Sequence, residues 1–391
     1  MAHQSTEQDA PLLNHMPLAG VDDEFIISYK HGVTGDQRRE HQAALHNIVT
    51  QKPGFSGIGE TWDMGGFQGY HVHMDPADLT YIDRNLVANI EPNGVVTACT
   101  TEEEVLAGKA MINQAPSTWG LGRISHHNKG YHNYIYNESA GSGVKIYVLD
   151  TGILTTHNEF GGRASWGHNF IPNSPDTDEN GHGTHCAGTA IGATYGVSKK
   201  AFAIAVKVLN KNGSGYWSQV ISGINWAYNN AGINRNKAVI SMSLGGKFSQ
   251  VVNDAVASAT SGGMTVSVSA GNKNANVSGY SPASEESAVT VAAINSHDHK
   301  ASFSNWGAGV DVFAAGVHVT SAWIGSDSAT KTISGTSMSC PHVSGLAAYY
   351  IRLYNLSGKA VKGMIISSAT TGLVINTNGS PNRIAYNNSG A

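Results

Sequence analysis

GTSMSCPHVSGLAAYY, residues 335–350, sets a small-residue turn directly against an apolar run containing Ala and Gly. The run reads as a helix that excludes bulky side chains on one face, so it must lie close against a neighbour. Ser337 stands at its start, where the first backbone N–H groups have no intrahelical acceptor. A hydroxyl in that place is expected to be exposed and able to act as a nucleophile. To do so it needs a base, an orienting acid and a donor for a developing oxyanion, all from elsewhere in the chain.

The surroundings of this stretch alternate between β and α character from Trp119 onward. Short β-rich runs recur at 144–149, 201–209, 238–244, 264–270, 288–294 and 310–315, with helical patterns at 217–230 and 250–261. Apolar strands alternating with helices predict a mostly parallel sheet covered on both faces. Ligands of such sheets bind beyond the carboxyl ends of the strands.

Three residues fall at that rim. Asp150 ends VKIYVLD, though Asp-Thr-Gly also marks ordinary turns. His182 opens NGHGTHCAGTAIG (180–192), where small residues imply close packing and a rigidly held imidazole. A zinc site of His182, His185 and Cys186 lacks the HExxH glutamate or distant Cys pair that would complete it. His185 and Cys186 therefore read as buried packing residues. Asn272 ends SAGN (269–272), and its amide donates a hydrogen bond without titrating; by itself it also suits a turn. Asp150, His182, Asn272 and Ser337 together supply acid, base, oxyanion donor and nucleophile.

The 391 residues contain 46 Gly and three Cys, with 40% apolar and 13% charged side chains. This composition fits a globular chain of about two compact units, not a disordered one. No run is long and apolar enough to span a bilayer. The first residues show no basic segment followed by an apolar one, so no signal peptide is visible. An odd, small cysteine count excludes a disulfide framework and leaves the redox compartment open. Sequons stand at Asn137, Asn276, Asn355, Asn378 and Asn387. Lys and Arg are not clustered, which argues against nucleic-acid binding.

Charge is split unevenly. Residues 1–111 carry 16 acidic and 6 basic side chains, against 12 and 18 in residues 112–391. Opposite signs suggest that the two parts dock on each other. Residues 1–20 read as a flexible lead-in. The order strand (24–29), helix (35–50), two strands (55–74), helix (76–87) and strand (90–98) predicts a small ferredoxin-like α+β domain. The seven histidines of residues 1–98 are scattered and suggest no metal site. Residues 99–118 read as a linker.

The order Asp, His, Ser is that of subtilisin. With VLDTGI (148–153), HGTHCAGT (182–189), SLGG (243–246), SAGN (269–272) and GTSMSCPHVSG (335–345), the chain resembles subtilisin-like serine proteases of the fungal proteinase K branch. WGLGRISH (119–126), YSPAS (280–284), FSNWG (303–307) and AYNN (385–388) support that branch, and the resemblance runs almost continuously through 119–391. It implies an α/β, three-layer subtilisin-like fold for 119–391. It also implies that 21–98 is an inhibitory propeptide, and that a maturation cleavage falls between about Cys99 and Ile112. The implied activity is endopeptidase action on proteins and peptides through an acyl-enzyme, with Asn272 in the oxyanion hole. Gly213, Ser214 and Gly215 on one side and Ser243, Leu244 and Gly245 on the other would flank an extended substrate. Leu244, Ala270 and Gly271 would line an apolar first pocket suited to apolar or aromatic residues. One structural calcium ion is implied, held by the Asp311 carboxylate and the Glu286 and Ala288 carbonyls. A second family site uses a late acidic residue that 364–373 lack. The disulfides of the best-known relatives are missing. A secreted monomer is expected, without membrane or nucleic-acid partners, and a vacuolar protease is the alternative.

Overall fold

The computed structural model describes residues 20–98 and 117–390. Two compact units divide the chain, Met1–Val95 and Val96–Ala391.

The smaller unit contains β1 (Gly20–Tyr29), α1 (Gly35–Val49), β2 (Gly57–Asp63), β3 (Gln68–His73) and most of β4 (Val87–Ala98). Its antiparallel sheet has the order β4-β1-β3-β2. Thr34 and Gln37 start α1 as a capping box, each side chain accepting from the other's backbone N–H. Leu45 and Val49 of the helix pack on Phe25, Ile27, Tyr70 and Val72 of the sheet. The helix expected over 76–87 is instead a 3₁₀ segment, Pro76–Tyr81. Residues three apart eclipse on such a turn, and this brings Asp75 and Asp78 to one cation. Lys52 Nζ lies 3.1 Å from Asp75 and 2.7 Å from Asp78.

The larger unit begins its described part with α2 (Trp119–Ser125) and continues with β5 (Lys145–Asp150), β6 (Ala164–Asn169), α3 (His182–Ile191), β7 (Phe202–Lys207) and β8 (Ser214–Tyr216). Next come α4 (Trp217–Ala231), β9 (Ala238–Met242), β10 (Leu244–Lys247), α5 (Gln250–Ser261), β11 (Thr265–Ser269) and β12 (Tyr280–Ser281). After these follow β13 (Val289–Ile294), β14 (Val312–Ala315), β15 (Val319–Ala322), β16 (Thr330–Ile333), α6 (Thr336–Tyr354), α7 (Gly358–Ser368), β17 (Thr370–Thr371) and β18 (Arg383–Ile384). The expected cleavage interval, 99–112, lies outside the described residues.

Nine strands form one sheet in the order β17-β18-β14-β13-β11-β9-β5-β7-β6. Every neighbouring pair is parallel except β17 with β18. Strands β9, β11 and β13 are buried at every residue, as the near-continuous apolar runs require of a sheet covered on both faces. Helices α3 and α6 pack on each other and on the sheet, and α4 and α5 do the same as a second pair.

The chain leaves β5 toward β7 and β6, then returns through β9 toward the other edge. The order therefore reverses between β5 and β9, and it is beyond the carboxyl ends at such a switch point that these sheets bind their ligands. Tight packing on this side is explicit at two glycines. A Cβ on Gly345 would lie 2.8 Å from the Ala190 carbonyl oxygen, and one on Gly183 would lie 2.1 Å from that of Gly152. No described helix is long and apolar enough to cross a membrane.

Candidate active site

Asp150 is the last residue of β5 and is fully buried. Its Oδ1 accepts the Thr151 N–H at 2.7 Å and faces His182 Nδ1 at 2.7 Å. A carboxylate only accepts, so Nδ1 carries the proton and Nε2 keeps its lone pair. Burial of the ring works against protonation. The Asp150 charge outweighs it and holds the imidazolium's pKa well above the ordinary histidine value.

His182 opens α3, whose N-cap, Gly181, has φ 103° and no side chain to cap with. Asp178 caps the helix from outside. Its Oδ1 accepts the N–H groups of Asn180 (3.0 Å) and Gly181 (2.9 Å) and the Thr151 hydroxyl (2.8 Å). Its Oδ2 accepts the Thr184 N–H (2.9 Å) and hydroxyl (2.6 Å). Thr151 Oγ1 in turn accepts the Gly183 N–H at 3.0 Å. The loop holding the imidazole is thus tied to the strand holding its carboxylate. Sequence reasoning passed over Asp178, although an Asp just before a helix start is a capping signal.

Ser337 is the second residue of α6, and the helix is buried from Thr336 through Ile351. The expected exposed nucleophile is therefore not found: Ser337 is 0% exposed. Its helix runs through the centre of the unit, packed on α3 and on five strands, β5, β9, β11, β13 and β14. The hydroxyl does not bond His182; it donates to the Ser243 carbonyl at 3.0 Å. In return the Ser243 hydroxyl donates to the Ser337 carbonyl at 2.9 Å. Pro341 explains this exchange. Four residues on in the helix it has no N–H, so the Ser337 carbonyl has no helical donor and takes one from Ser243. Cys186 bridges the two halves, with Sγ 3.5 Å from the Ser337 carbonyl oxygen and 4.0 Å from His182 Nδ1.

Asn272 follows β11. Its Oδ1 accepts the Thr336 N–H at 3.0 Å and the Thr336 hydroxyl at 2.8 Å. The backbone N–H can only donate, so this fixes the amide's orientation and turns Nδ2 the other way. Buried Nδ2 has no hydrogen-bond partner, and neither has His182 Nε2. Two buried, unsatisfied nitrogens beside one helix start are what an absent reactant would be expected to meet. Asn305 braces the Asn272 loop. It donates to the Ala270 carbonyl (2.8 Å) and accepts the N–H groups of Lys273 (2.9 Å) and Ala275 (3.0 Å). Thr336 and Asn305 carry no chemistry of their own, and sequence reasoning did not single them out.

Ser243 and Leu244 lead from β9 into β10, which pairs antiparallel with the end of β4: Leu244 opposes Ala98, and Gly245 opposes Thr97. Gly213 (φ 72°) ends the turn into β8, whose first two residues are Ser214 and Gly215. A Cβ on Gly215 would come 2.3 Å from the Val208 carbonyl oxygen. Leu244 and Ala270 are fully buried, and Gly271 (φ 98°) donates its N–H to Thr336 Oγ1 at 3.1 Å.

Cys186 and Cys340 are free and buried. Burial raises both thiols, that of Cys340 to about 11, so neither is a ready nucleophile. His185 faces away from the site, with Nε2 against the carbonyls of Val319 (3.0 Å) and Lys331 (3.2 Å). Burial lowers its pKa to about 3.

The donor set assigned to calcium does not fit a metal ion as it stands. Lys362 Nζ lies 2.8 Å from Asp311 Oδ2 and donates to the carbonyls of Glu286 and Ala288 at 2.7 Å each. All three oxygens already converge on one ammonium group. The expectation of calcium on Glu286, Ala288 and Asp311 is not met in this geometry, because the cation there belongs to the chain. Among the described residues, one cluster of His, Cys, Asp and Glu side chains is close enough for a metal. It is Asp150, His182 and Cys186, the site itself.

The sequence pattern of the Subtilase family matches residues 141–386. The chain belongs to the subtilase family. Like other subtilases it is a serine-type endopeptidase. It is 50% identical over 372 residues to Subtilisin-like protease 2 of Pseudogymnoascus destructans, covering 94% of this chain and 90% of that one. Identity is 44% to a cuticle-degrading serine protease of Arthrobotrys oligospora, covering 94% of this subtilase and 91% of its relative. A crystal structure of a cold-adapted subtilisin-like serine proteinase superposes with a TM-score of 0.67. It is 43% identical and covers 70% of this chain and 99% of its own.

Proposed function

We propose that Asp150, His182 and Ser337 form the catalytic triad of this subtilase, with Asn272 Nδ2 and the Ser337 N–H as the oxyanion hole. The observation that carries this reading is the pair of buried, unpartnered nitrogens, His182 Nε2 and Asn272 Nδ2, beside the start of α6. The Ser337 hydroxyl leaves the Ser243 carbonyl by rotation about χ1 and gives its proton to Nε2 as Oγ bonds the scissile carbonyl carbon. The oxyanion takes hydrogen bonds from Asn272 Nδ2 and from the Ser337 N–H, which has no acceptor in the first helical turn. The imidazolium passes its proton to the departing amine, and a water molecule then releases the acyl group by the reverse steps. Asp150 keeps the tautomer and favours the imidazolium.

Substrate recognition by strand addition at β10 is supported by the pairing that Thr97 and Ala98 already make there. Backbone pairing is indifferent to side chains, so specificity is broad, with an apolar or aromatic preference set by Leu244, Ala270 and Gly271. The N-terminal part acts as an inhibitory propeptide, removed by the enzyme's own cleavage. The compact first unit and the opposite charges of the two parts support this. Action outside the cell on structural proteins is in keeping with the cuticle-degrading relative.

A fluorophosphonate probe followed by peptide mass spectrometry tests the centre of this reading. Label is expected on Ser337 and on no other serine, and the full chain should cut itself while Ser337→Ala stays intact. A mature enzyme that hydrolyses peptides with Ser337 unlabelled would remove the serine from its role.

A further inference from the structure

Lys362 lies on α7, and its side chain is 18% exposed. An ammonium has three N–H bonds to give, and here three oxygens take them, at 2.7, 2.7 and 2.8 Å. The cradle is built independently of the lysine. Asp311 Oδ2 is positioned by the Thr290 N–H at 2.8 Å, and the 285–288 turn by the Glu285 carboxylate, which accepts the Ser287 N–H at 2.9 Å. Two carbonyls and a carboxylate, fixed by their own neighbours and pointing at one spot, make a cation site of hard oxygens. A calcium ion bonds oxygen at about 2.3–2.6 Å and wants six to eight of them. Bonded to these three, it would have to take the place of Nζ.

We propose that Lys362 is a covalently tethered replacement for a divalent ion at the Glu286–Ala288–Asp311 site. This corner of the fold, where α7 meets the starts of β13 and β14, is then held without dissolved calcium. A tethered cation cannot be diluted away or chelated, whereas a bound ion stabilises only in proportion to its free concentration. The inference concerns how the fold is held and does not rest on the catalytic reading.

Hydrogen–deuterium exchange on the full-length Ser337→Ala chain, in millimolar calcium and in chelator, tests it locally. Peptides covering 285–290, 311–315 and 358–366 are expected to exchange equally in both. Lys362→Met in the same background keeps much of the side-chain volume and removes the charge. It should lower Tm in chelator, regain about 5 °C with calcium, and lose that gain when Asp311→Asn is added. Calcium-dependent protection of those peptides with Lys362 present would overturn the proposal, since the ion would then be displacing the lysine. A folded Lys362→Met chain indifferent to calcium would also overturn it, because the lysine would not be filling a cation's place. If Lys362→Met does not fold, exchange on the parent chain decides alone.

Discussion

The amide of Asn272 shows how one residue's orientation is set by its neighbours. Thr336 takes the oxygen with two hydrogen bonds, and the nitrogen is left for chemistry. Asn272→Ala is expected to lower kcat by about 10²–10³ with little change in KM, a magnitude established on subtilisin itself. Thr336→Val keeps the backbone bond to Oδ1 and loses the hydroxyl bond, so its kcat should fall between the two. Steady-state kinetics on one peptide substrate separates them. The raised pKa of His182 sets a pH limb. With the neutral ring as the proposed base, kcat/KM should fall as pH drops through the imidazolium's pKa, and Asp150 moves that fall upward from the ordinary histidine range. Asp150→Asn should shift the limb toward acid while cutting kcat by about 10⁴; an unmoved limb would mean another group titrates there. The four residues to which the proposed chemistry is assigned stand out in sequence because each sits in a distinctive small-residue context. The groups that aim them do not. Thr336 and Asn305 act through contacts that no local spacing encodes, whereas Asp178 carries a local capping signal that was passed over.

Helix α6 and the segment leaving β9 are locked by the exchange between Ser337 and Ser243. Ser243→Ala would leave the carbonyl that Pro341 deprives of its helical donor with the weaker Cys186 thiol alone, 3.5 Å away. Losing one buried hydrogen bond costs about 0.5–1.5 kcal/mol, so the urea midpoint should fall with the m-value unchanged. The elements themselves were largely foreseen, since strands buried on both faces read as unbroken apolar runs. The exception was 76–87, where only Pro76–Tyr81 turns helical, as a 3₁₀ segment capped by Asp75. Lys362 was invisible for a different reason. Its acceptors lie in segments 51 to 76 residues earlier in the chain, and only the sheet brings them together.

Taken whole, the molecule joins a net acidic N-terminal part to a net basic remainder. If residues 1–111 inhibit the mature enzyme by docking on it, added fragment should inhibit well at low ionic strength and progressively less as salt is raised. Inhibition constants measured across a salt series would show it, and salt-independent inhibition would assign the docking to apolar contact instead. The division into two units and the parallel sheet were readable from composition and pattern. The proposed activation and inhibition rest only on resemblance, because they depend on segments that carry no chemistry. One detail of the site bears on how long such a molecule lasts. Asn180-Gly181 is the dipeptide most prone to chemical ageing, in which the glycine nitrogen attacks the asparagine amide, expels ammonia and leaves a ring that reopens as an altered residue. In the folded enzyme Asp178 holds that nitrogen's hydrogen. The asparagine side chain is meanwhile engaged by the His182 N–H and the Lys211 carbonyl. The carboxylate that braces the loop carrying His182 is therefore also a preservative, and the shelf life of the site is tied to the integrity of its own loop.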